Sequence, residues 1–199
     1  MGEVYFVADS HFSHENLITK IKDRTEFSSI EEHDETLIAN WNTKVSPGDL
    51  VYHLGDFSWG KPELYVDRLA GQIQLIRGNH DKRSTKIYEM YFSWVSGKYQ
   101  GRMVKTGGHQ FFLSHYPMRS WPGKHRGVYH LFGHTHGSVK PLLGSVDVSV
   151  DCWNYTPVSV DELIQYFNNQ QEHLKNWERN NSPCNNFGCA DCSRRDDGM

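Results

Sequence analysis

Long apolar runs are missing from this 199-residue chain. No stretch approaches the ~18 residues a membrane-spanning helix requires, which argues against a membrane protein. The N-terminus lacks both the basic stretch and the long apolar segment of a secretory signal, so the sequence reads as cytoplasmic, with no membrane partner. Cysteine is scarce: there are four, and none precedes Cys152. In a reducing compartment these are thiols or metal ligands rather than a disulfide framework. Neither sign of charge dominates, since 21 Lys and Arg stand against 24 Asp and Glu for a net −3. That balance does not advertise a broad nucleic-acid groove, although a local basic patch can act within a mildly acidic protein. Internal repeats are absent, and nothing marks an obligate protein partner.

What the chain does have is histidine, twelve in all, set in a pattern of short β-prone runs and helices. Val4–Ala8, Asp49–Leu54 and Gln72–Ile76 read as strands. Ser29 with Glu32 forms a capping-box pattern that opens a helix carrying Leu37, Ile38 and Trp41 at helical spacing, ending before Ser46-Pro47-Gly48. Pro62 to Gly71 reads as a second helix. The region from about Met90 to Gly108 reads as short strands and turns. Phe111–Leu113, Tyr129–Phe132 and Ser145–Val150 follow as strands. Ser159 with Glu162 then caps a helix over about 160–180. Alternating strands and helices predict an α/β fold in one domain, residues 1–181, followed by a Cys-rich tail over 182–199.

Five of the β-like runs end in polar clusters: Asp9/His11, Asp56, Asn79/His80, His115 and His134/His136. Folds of this class place their sites beyond the carboxyl ends of strands, so these clusters are predicted to converge. Asp9 and His11 offer one hard oxygen and one imidazole. Asp56, after a glycine that permits a tight turn, offers a carboxylate able to bridge two ions. Asn79 adds an amide oxygen, and His115, His134 and His136 complete a mixed N/O set suited to manganese, iron, zinc or nickel rather than calcium. Two dications ~3.5–4 Å apart repel by roughly 18 kcal/mol at an effective dielectric of 20. A bridging carboxylate and a bridging hydroxide would offset most of that, and the hydroxide is the natural nucleophile. His80, next to Asn79, is predicted to protonate the leaving group, with Asp81 orienting its ring or favouring its charged form. His33, His53, His109, His125, His130 and His173 are left as ordinary core or surface residues.

Asp9-Ser10-His11, Gly55-Asp56, Gly78-Asn79-His80-Asp81, His115 and Gly133-His134-Thr135-His136 together resemble the calcineurin-like metallophosphoesterase family, over about residues 4 to 158. The chain looks like its short bacterial and phage members. The resemblance implies a four-layer α/β/β/α sandwich and a binuclear centre. Asp9, His11, Asp56 and His136 would hold one ion; Asp56, Asn79, His115 and His134 would hold the other; His80 would be the acid. It also implies two divalent cations, manganese first, with iron, zinc or nickel as alternatives.

The expected activity is hydrolysis of phosphoric esters, diesters ahead of monoesters, with nucleotides or nucleic-acid ends as the preferred substrates. A DNA or RNA nuclease and a non-catalytic interaction module on the same fold are the alternatives. His14, Asn16 and Arg119 are candidates for substrate contact. Trp121, Lys124, His125 and Arg126 suggest an aromatic and basic rim, and Lys82, Arg83 and Lys86 a second basic cluster. In the tail, Cys184, Cys189 and Cys192 at C-x4-C-x2-C spacing suggest a metal knuckle, with His173 or Cys152 as a fourth ligand, or else a flexible tail with idle thiols.

Overall fold

The structure, a computed structural model, describes residues 2–21, 24–172, 174 and 175. The tail cysteines Cys184, Cys189 and Cys192, His173, and the end of the expected last helix lie outside the described residues. Two sheets form the frame. In the first, β1 (Val4–Val7), β2 (Leu50–His53), β3 (Gln72–Leu75) and β4 (Trp94–Val95) run parallel, and β9 (Val158–Ser159) pairs antiparallel with β1. The strand order is β4-β3-β2-β1-β9. In the second, β5 (Arg102–Thr106) pairs antiparallel with β6 (His109–Leu113), while β6, β7 (Tyr129–Phe132) and β8 (Ser145–Asp147) are parallel.

Side chains alternate across β1, and that alternation separates two cores. Tyr5 and Val7 face a layer that includes Leu37, Ile38 and Trp41 of α2 (Ile30–Lys44), with Tyr65 of α3 (Glu63–Val66) and Tyr88 of α4 (Thr85–Tyr88). Phe6 and Ala8 face Phe111, Leu113, Leu131 and Val146 of the second sheet. Burial of a phenylalanine such as Phe6 contributes roughly 1.5–3 kcal/mol. Leu163 and Phe167 of α5 (Val160–Asn168) close this inter-sheet core, Phe167 stacking on Tyr129 at 4.0 Å. The outer face of the second sheet is covered by Trp121, Val128, Met118 and Leu142, from segments whose helical content is the 3-10 turn Lys124–Arg126. The fourth layer is thus mainly loop.

Local signals explain most element ends. Ser29 Oγ accepts from Glu32 N at the start of α2, but the Glu32 carboxylate turns back to Ser28 N and Oγ, closing the box one residue upstream. At α5 both halves of the capping box form between Ser159 and Glu162. The helix expected over Pro62–Gly71 is shorter, because regular α geometry is confined to α3 and the chain turns through Asp67–Leu69 before β3.

The register aligns Val7, His53 and Leu75 across the first sheet, so the loops leaving β1, β2 and β3 start level with one another. Beyond Val7 the two sheets join: Ala8 N donates to Val148 O and Val150 N to Ala8 O. The carboxyl ends of both sheets therefore open into one place.

Candidate metal centre

Asp9 and His11 follow β1, Asp56 follows β2, Asn79 and His80 follow β3, His115 follows β6, and His134 and His136 follow β7. Their donor atoms converge in two groups. Asp9, His11 and His136 present atoms within 4.8 Å of one another, and so do Asp56, His115 and His134. Asn79 Oδ1 joins the second group, 2.9 Å from His115 Nε2. Asp56 Oδ2 sits between them, 3.6 Å from His11 Nε2 and 3.5 Å from His115 Nε2.

Both carboxylates have one oxygen held and one presented. Asp9 Oδ2 accepts from His134 N at 2.7 Å and Ser149 Oγ at 2.8 Å, leaving Oδ1 buried without a partner. Asp56 Oδ1 accepts from His80 N at 2.7 Å, leaving Oδ2 toward the imidazoles. His115 Nδ1–H donates to Leu54 O, and His136 Nδ1–H to Asp151 Oδ2, so each turns Nε2 inward. His11 Nε2 is likewise buried with no partner. Two orphaned atoms, Asp9 Oδ1 and His11 Nε2, and the neighbouring carboxylate and imidazole atoms 3.5–3.9 Å from one another suit ions bound at about 2.0–2.2 Å, and the ligand set is that of a borderline divalent cation. The residues present therefore fit a pair of metal ions.

The field of the cluster points the same way. Burial alone would raise Asp9 and Asp56, but the adjacent His11 and His115 imidazoles, with the other imidazoles around them, hold both below the ordinary carboxylate value. Burial would depress His115, yet Asp56 and Asp9 outweigh it and lift this imidazole to about 9. Against its burial, His136 is raised likewise, by Asp151 and Asp9, whereas burial lowers His11 and His134.

The backbone is shaped to deliver these side chains. Asp9, His11, Asp56, His134 and His136 all have φ between 46° and 71°, a conformation non-glycine residues rarely adopt. Two glycines make room: a Cβ at Gly78 would lie 2.2 Å from Asp56 Oδ1, and one at Gly133 would lie 2.3 Å from Asp9 Oδ2.

His80 stands at the rim, its side chain 30% exposed and its Nε2 4.0 Å from Asp56 Oδ2. Asp81 does not orient it. The buried Asp81 carboxylate accepts from the backbone N–H of Asp56, Phe57 and Gly78, and so fastens the β2 loop to the β3 loop. Burial first, and then the Asp56 charge, lift Asp81 to about 6. His14 lies beside His11, with Nδ1 atoms 3.3 Å apart, and stacks on Trp59. Asn16 is exposed at the start of α1 (Leu17–Lys20), its carbonyl accepting from Thr19 Oγ1. Arg119 lines a cavity with Pro117, Met118, Lys140 and Pro141, which includes none of the candidate ligands. The expected aromatic rim does not form: Trp121 is buried, stacks on His130 and donates Nε1–H to Val128 O.

Four supporting side chains, Arg24, Asp147, Ser149 and Asp151, escaped the sequence reading. Arg24, fully buried, grips Asp151 through Nε and Nη2 and donates to the carbonyls of Asp9 and Ser10. Asp147 accepts from Thr135 Oγ1 and Gly137 N and so sets the loop that carries His134 and His136. Asp147, Ser149 and Asp151 alternate with buried Val146, Val148 and Val150, a spacing that could have revealed them. Arg24 lies in a charged stretch and leaves no such signal.

Comparison with known proteins accords with this geometry. The calcineurin-like phosphoesterase family matches residues 2–184. An uncharacterised protein of Methanocaldococcus jannaschii is 34% identical over 83% of this chain and 91% of its own. The gene 66 protein of Mycobacterium phage L5 is 29% identical over 86% of this chain and 97% of its own. A solved protein of unknown function from Aquifex aeolicus shares the fold, with a TM-score of 0.66 at 24% identity, covering 83% of this chain and 99% of that one. The chain belongs to the calcineurin-like phosphoesterase family, whose members are metal-dependent phosphoesterases.

Proposed function

We propose that this calcineurin-like phosphoesterase hydrolyses phosphodiesters of nucleotides or nucleic-acid ends at a binuclear centre. Asp9, His11, Asp56 and His136 hold one divalent cation, and Asp56, Asn79, His115 and His134 hold the other, with manganese the leading candidate ahead of iron, zinc or nickel. The observation that carries the reading is the place of Asp56 Oδ2, within 3.6 Å of an imidazole in each group while its partner oxygen is fixed by His80 N. When bound, such ions supply Lewis acidity toward phosphoryl oxygens and lower the pKa of water.

The chain's own residues do the rest. Leu54 O and Asp151 fix the tautomers of His115 and His136, so that Nε2 faces inward. His80, at the rim, holds a proton on Nε2 toward the region beside Asp56 and passes it to the departing ester oxygen. That role has a leaving-group signature. His80→Ala should slow hydrolysis of alkyl and nucleoside diesters by about 10²–10⁴, and slow bis-p-nitrophenyl phosphate far less, because p-nitrophenolate leaves without a proton. Bound metal, measured by elemental analysis, should be unchanged. Equal loss on both kinds of ester would remove His80 from the acid role. Asn79→Ala should lower metal content and both activities together. Turnover of monoesters alone across a broad panel would remove the diesterase assignment.

A further inference from the structure

Trp59 is 45% exposed and belongs to none of the three apolar clusters among the described residues. Such an indole beside a reaction centre calls for an explanation other than packing. Its backbone is pinned, N–H donating to Phe12 O at 2.7 Å. Its ring lies parallel to that of His14, at 4.2 Å and 8°, and 5.0 Å from that of His80. The ring faces a cleft of about 210 Å³ shared with His80, Lys82, Arg83 and Tyr88. Lys82 Nζ stands 5.3 Å from the indole centroid. A rigid indole braced by a parallel imidazole, with the flexible Lys82 ammonium over its ring where a base can displace it, has the composition of a stacking platform for a planar ring on a phosphate-bearing ligand.

We propose that Trp59 is the shelf on which the base of a leaving nucleoside stacks, and that it determines specificity for nucleotide esters. The assignment rests on the phosphoesterase reading above. It places the base on the leaving-group side because Trp59 shares its cleft with His80, the residue positioned to serve the departing oxygen. Lys82 and Arg83 line the same cleft, which suits an anionic nucleotide better than a neutral aryl group.

The test is competition against bis-p-nitrophenyl phosphate hydrolysis by the manganese-loaded full chain, using AMP, ribose 5-phosphate, phenyl phosphate and inorganic phosphate. Stacking on a single aromatic should let AMP compete roughly tenfold better than ribose 5-phosphate. Trp59→Ala should bring that ratio close to one, Trp59→Phe should keep most of it, and inhibition by inorganic phosphate should be the same in all three proteins. An AMP advantage that survives in Trp59→Ala, or is absent from the wild type, overturns the shelf. Phenyl phosphate competing as well as AMP overturns the nucleoside assignment. If no ester is turned over at all, the hydrolase reading fails separately. The same ratio, read by calorimetric titration with AMP and ribose 5-phosphate, then decides the shelf.

Discussion

A carboxylate can offer one oxygen to a cation in a fixed direction only if its other oxygen is held. Asp9 and Asp56 meet that condition through backbone N–H groups of His134 and His80, and two imidazoles meet its analogue through Leu54 O and Asp151. Asp151 is in turn clamped by Arg24. Asp151→Asn should therefore weaken metal binding about 10–100-fold, measured by titration of the metal-free protein, while the protein stays folded. An unchanged affinity would show that His136 needs no partner. At this scale the candidate ligands stood out in the sequence, because aspartate and histidine after β-prone runs are chemically conspicuous. Arg24 was not, because a buried arginine looks like any other in a charged segment until its partner, 127 positions away, is known.

Elements position these residues through their ends. Ser159 accepts from Glu162 N, and the Glu162 carboxylate receives both Ser159 N–H and Lys44 Nζ, the latter at 2.7 Å. One side chain thus caps α5 and ties it to the last turn of α2. Ser159→Ala should cost about 1 kcal/mol, read from urea unfolding, with little change in metal content. A loss well above that would mean the cap also supports β9, of which Ser159 is a part. Both capped helices were visible as Ser-x-x-Glu patterns, since capping is local chemistry. The true length of α3 was not visible, because tertiary contacts decide where a short helix stops. The left-handed backbone at five candidate ligands was also hidden, since only glycine announces it in sequence and these residues are not glycine.

The whole molecule carries a pH dependence that does not belong to the metal site. His130 lies buried between Ser114 Oγ and Ser145 Oγ, against Trp121 and Phe132, with Lys124 nearby. Burial first, and then the Lys124 charge, hold it down at about 4, so it is neutral in the fold and ionises once the chain unfolds. Its folded pKa is depressed, so its contribution is fully present above the unfolded value near 6.5 and is lost as pH falls toward 4. Over that window His130 alone should withdraw on the order of 3 kcal/mol. Unfolding of the metal-free protein measured from pH 7 to pH 4 should show the decline, and His130→Gln should flatten it. An unaltered slope in the variant would assign the acid sensitivity elsewhere.

The sequence by itself determined the α/β class, the two-period patterning of the strands, the helix caps and the seven candidate ligands, because each is written in residue types at short spacing. It also pointed to the family, through motifs that no single histidine could carry. Only the tertiary structure decided that Asp81 fastens two loops rather than orienting His80, and that Trp121 is core. It alone placed Trp59 in the open beside the site. Those outcomes depend on which loops the two sheets bring together where Ala8 meets Val148 and Val150. That meeting is a long-range pairing, fixed by the packing of both sheets and not by any local run of residues.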